Sequence, residues 1–113
     1  MTSYAQEVLK TKLEAMFPDE TSRREIVSLL NQYGTETCEK EISRVQLGIL
    51  KLSGTSAEAI KMWVGVGKND YRDVLAAAEY PNELNAPTWK MKETESAKIR
   101  DSDRRQYEAW IKK

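Results

Sequence analysis

Apolar residues recur along this chain at spacings of three and four, the period of a helix with one buried face. Tyr4, Val8, Leu9, Leu13 and Met16 make the first stripe. It predicts a helix over 2–16, with Ser3 and Gln6 in capping-box spacing and Phe17, before Pro18, biased out of helical backbone. A second helix starts at Asp19 or Ser22, presents Ile26, Val27, Leu29, Leu30 and Tyr33, and stops at Gly34. The third begins near Thr35 or Thr37 and runs to Ser53, with Cys38, Ile42, Val45, Ile49 and Leu52 on one seam before Gly54.

Thr55 and Glu58 read as the capping box of a fourth helix, and so short a connection predicts an antiparallel hairpin with the third. Ile60, Val64, Gly67, Tyr71, Val74 and Ala78 keep one phase across Gly65 and Asp70, so a single helix is expected over 57–79, ending before Tyr80-Pro81. Residues 82–92 carry Pro87 and no clean period, which predicts an irregular crossing segment anchored by Leu84, Trp89 and Met91. A short final helix follows from 101 or 103 to 111. No β-alternation or internal repeat interrupts this pattern. The expected fold class is all-α: one domain over 1–113, an antiparallel bundle of about four helices in 1–81 with an arm, 82–113, wrapped over it.

Composition removes several chemistries. The 113 residues hold 18 Lys+Arg against 18 Asp+Glu and no histidine, so neither the basic footprint of phosphate-backbone binding nor the commonest general base and metal ligand is present. Charge still divides: residues 1–81 hold 10 basic and 12 acidic groups, residues 82–113 hold 8 and 6, making the arm complementary in sign to the bundle. The first residues are charged rather than arranged as a secretory leader, and no apolar run approaches a membrane span, so a cytoplasmic protein is expected. The single Cys38 falls on an apolar stripe and is expected in the core.

Three motifs invite function. Gly65-Val66-Gly67-Lys68 looks like a phosphate loop, but Met62 stands where its first glycine belongs and Asn69 where Ser or Thr would follow the lysine; close packing at Gly67 is the simpler reading. The second and third helices invite a helix-turn-helix reading, which Glu36, Glu39 and Glu41 oppose by facing phosphates with like charge. Asp70 and Asp73, with Tyr71 and Arg72 between them and Trp63 nearby, are the candidate ligand-pocket residues; two carboxylates on one helix face would raise one of their pKa values. The simpler reading of that run is a solvated helix face. No catalytic residue, cofactor or metal is expected from these patterns.

Three stretches, RVQLGILKLSG at 44–54, DYRDVLAAAEYP at 70–81 and DRRQYEAWI at 103–111, resemble a family of small uncharacterised bacterial all-helical proteins. The resemblance implies a bacterial cytoplasmic setting and an all-α fold, and brings no activity and no catalytic residue with it. Function is therefore read from the aromatics. Trp89, Tyr107 and Trp110 are the expected interface residues of a protein acting through protein contacts, with itself as a possible partner and with neither nucleic acid nor membrane. The alternative expectation is a small-molecule or enzymatic pocket between the fourth helix and the arm.

Overall fold

In a computed structural model describing residues 3–87 and 90–113, the chain is all-helical and has seven helices among the described residues. Ser3 caps α1 (Tyr4–Met16) as expected: its hydroxyl accepts from the Gln6 N–H at 3.2 Å, and the Gln6 side chain accepts from the Ser3 N–H at 2.8 Å. Asp19 caps α2 (Glu20–Leu30) by accepting from the Ser22 N–H. α2 ends earlier than the sequence predicts, because the buried Gln46 amide donates to the carbonyls of Leu30 and Tyr33 and so satisfies the end of the helix.

Residues 31–41 are not the start of the third helix but a loop. Glu39 pins it, accepting from the N–H groups of Gly34 at 2.7 Å and Thr35 at 3.1 Å and from Lys68 at 2.9 Å. Glu41 closes it in the left-handed region, φ 52°, where a side chain costs about 1–2 kcal/mol. Cys38 is consequently exposed rather than in the core: one helical turn of apparent spacing was a coincidence that the loop does not honour. The same loop separates α2 from α3 (Ile42–Ser53) and leaves no tight turn for a helix-turn-helix.

α3 is the centre of the molecule. Its residues 45–50 are all buried, and it packs against α1, α4 (Ala57–Asn69) and α5 (Tyr71–Glu79). Gly48 permits the closest approach, since a Cβ there would lie 3.2 Å from Ala78 Cβ and 3.3 Å from Val74 Cγ1. Gly67 is also packed closely, against the Tyr33 ring and Val74 rather than another backbone. Ser56, not Thr55, caps α4 by accepting from the Ala59 N–H.

The expected single helix over 57–79 is two helices. Asp70 lies in extended backbone, ends α4, and caps α5 by accepting from the Arg72 N–H at 3.0 Å. Neither glycine breaks the helix; a preferred capping residue does. The arm also differs from expectation. Pro81–Asn85 forms a short α6, and the final helix, α7, spans Glu93–Lys112, about 30 Å. It packs on α5 and α6, and its polar side leaves it largely exposed.

Candidate functional site

Three of the contacts that hold α7 differ in chemistry. Asp103, fully buried, sends its carboxylate to the start of α6, accepting from the N–H groups of Asn82 at 3.1 Å and Glu83 at 2.9 Å. It therefore caps a helix from another element, where Pro81 and Tyr80 offer no side-chain cap. Near the end of α7, the Trp110 ring lies 6.1 Å from Tyr107 and beneath Lys12, whose ammonium is 4.4 Å from the ring centre. Burial lowers the Lys12 pKa, and the nearby Lys113 adds to that. The third contact is the Gln106 amide, which donates to the Ala78 carbonyl at 3.4 Å.

Beside α7 runs an open groove of about 760 Å³. One wall is a continuous face of α7, carrying Ala97, Asp101, Arg104, Glu108 and Lys112; the other carries Tyr4, from the start of α1, and Tyr80, from the end of α5. Both rim tyrosines are exposed, 71% and 39%. Glu79, buried and also lining the groove, is gripped by the Arg44 guanidinium with two parallel bonds of 2.7 and 2.8 Å, which raises the Arg44 pKa. Tyr107 also lines the groove, but its hydroxyl is covered and makes no hydrogen bond; burial, then Glu79, pushes its pKa well up.

The residues singled out from sequence are not brought into one site. Asp70, Tyr71 and Arg72 line a hollow of about 280 Å³ with Cys38 and Lys68, whereas Trp63 is half-buried against the core and Asp73 is exposed. The expected rise in a carboxylate pKa is reversed at Asp70, which Arg72 holds below its ordinary value through hydrogen bonds from its side chain and its N–H. Of the expected interface residues, Tyr107 and Trp110 are half-buried and packed on the core, and Trp89 lies outside the described residues. Sequence reasoning missed the groove because it missed the first two turns of α7. The signal was there: residues 93–112 contain neither Gly nor Pro, and 97, 101, 104, 108 and 112 follow a helical period.

Among the described residues no cluster of His, Cys, Asp and Glu is arranged to hold a metal ion, and no helix is long and apolar enough to cross a membrane. Set against protein-family models, curated proteins and solved structures, the chain matches none of them.

Proposed function

We propose that this chain is a small bacterial cytoplasmic protein that acts through protein contacts, and that the contacts are made along the α7 groove. One observation carries the reading: a face of α7 several turns long stands open beside two exposed tyrosines. A long helix that is polar nearly all round gains little by packing inside its own chain and commonly serves as a bridge or contact surface. Tyrosines at a rim supply apolar area at low entropic cost, with hydroxyls that remain hydrogen-bonded, as interfaces favour. The groove's open length also suits a chain segment better than a compact metabolite, which is usually enclosed.

A photo-crosslinking residue placed at Ala97 or Tyr80 in cells tests this. Both positions are expected to give a discrete protein adduct, while the same residue at Met62, exposed on α4, gives none. Failure of both groove positions to yield an adduct removes the reading.

A further inference from the structure

We infer that the segment occupying the α7 groove is the α7 face of a second copy of this chain, laid antiparallel to the first. The inference rests on the protein-contact reading above and names its partner. The argument is the order of charge along the groove wall. Arg100, Asp101, Arg104, Glu108 and Lys112 all line it, and from Asp101 on the signs alternate as acid, base, acid, base over about 16 Å. Read in the reverse direction the order is base, acid, base, acid. An antiparallel copy centred near residue 106 therefore sets Asp101 opposite Lys112 of its mate and Arg104 opposite Glu108, and two-fold symmetry makes each pairing twice. A parallel copy in register would set like on like.

Among the described residues, two of these four charges are already paired inside the chain, and two are not. Asp101 already draws in Arg104 and Arg105, each at 2.6 Å, whereas Glu108 and Lys112 enter no ion pair among the described residues. Arg100, which also lines the groove and would meet the basic end of the mate, has Glu83 at 4.0 Å to offset its charge. Tyr4 and Tyr80 then close over the incoming helix with Ile111, giving the contact an apolar component that surface ion pairs alone would lack. Tyr107 and Trp110 serve this surface from below, by fixing α7 on the core.

The test is the mass of the full chain in solution by light scattering, with a charge-swap pair. The wild type is expected to approach twice 13.0 kDa as concentration rises, and to dissociate more readily in high salt. Glu108→Arg sets Arg against Arg104 and should weaken the dimer about tenfold or more, while Arg104→Glu combined with Glu108→Arg restores opposite signs and should bring it back to within about threefold of wild type. Circular dichroism establishes that each variant is folded. A chain that stays at 13.0 kDa at about 1 mM overturns the inference, as does a dimer that ignores Glu108→Arg or is not rescued by the swap. The in-cell adduct separates the two ideas: a monomer that crosslinks to a different protein sinks self-pairing and keeps the protein-contact reading, whereas a monomer with no adduct sinks both.

Discussion

Asp103 and Tyr107 lie one helical turn apart on α7, and both are polar groups taken out of water, yet the structure treats them oppositely. The Asp103 carboxylate accepts two backbone N–H groups, so Asp103→Ala strands those donors and should cost about 1–3 kcal/mol by urea unfolding, with Asp103→Asn in between. The Tyr107 hydroxyl has no partner, so Tyr107→Phe should leave stability unchanged or raise it by up to about 1 kcal/mol in the same assay. Two phenols also set an alkaline limit. Tyr33 donates to the Lys40 carbonyl at 2.6 Å, and burial, followed by Glu39, pushes its pKa up to about 12; Tyr107 is raised too. Above pH 10 the unfolded chain has released phenol protons that the folded chain keeps, so their contribution is full below pH 10 and is lost as pH climbs toward about 12. The lowered pKa values of Lys12 and Lys51 act with the opposite sign, favouring the folded state as pH rises, but only up to 10.5. A falling urea midpoint above pH 10.5, with phenolate absorbance appearing as the chain unfolds, is the expected result.

Among the helices, α4 and α5 break the expected single helix for a local reason. Asp70 ends one helix and starts another although the apolar phase runs straight through it, because Val74 and Gly67 face the same Tyr33-lined core from either side of the break. The clue in the sequence was an Asp, a favoured N-cap, rather than the glycines. Those glycines make the next prediction. A Cβ at Gly65 meets nothing within 4 Å, so Gly65→Ala should stabilise the protein by about 0.5–1 kcal/mol through helix propensity. Gly48 is the reverse case: Ala78 and Val74 crowd it, so Gly48→Val should cost about 1–3 kcal/mol in the same denaturation series. Equal effects at the two sites would show that α3 and α5 are not in the close contact described.

Taken whole, the molecule measures 49 × 31 × 30 Å, and its radius of gyration of 14.9 Å exceeds the about 13 Å expected for a compact chain of this length. Deleting residues 93–113 removes Tyr107 and Trp110 from the core margin and the Asp103 cap from α6, so the urea midpoint should fall; an unchanged midpoint would mean that α7 carries no structural load. The sequence by itself determined the all-α class, the cap at Ser3, the burial of Val45 and Ile49 on α3 and the close packing at Gly67, since all of these follow from helical period or from bonds between residues a few positions apart. Only the tertiary structure decided that Glu39 and Gln46 hold residues 31–41 out of helix, that Asp103 caps a helix some twenty residues back, and that an open groove lies along α7. Each of those depends on groups distant in the chain meeting at one place, and a buried polar group takes whatever partner the packing brings within reach.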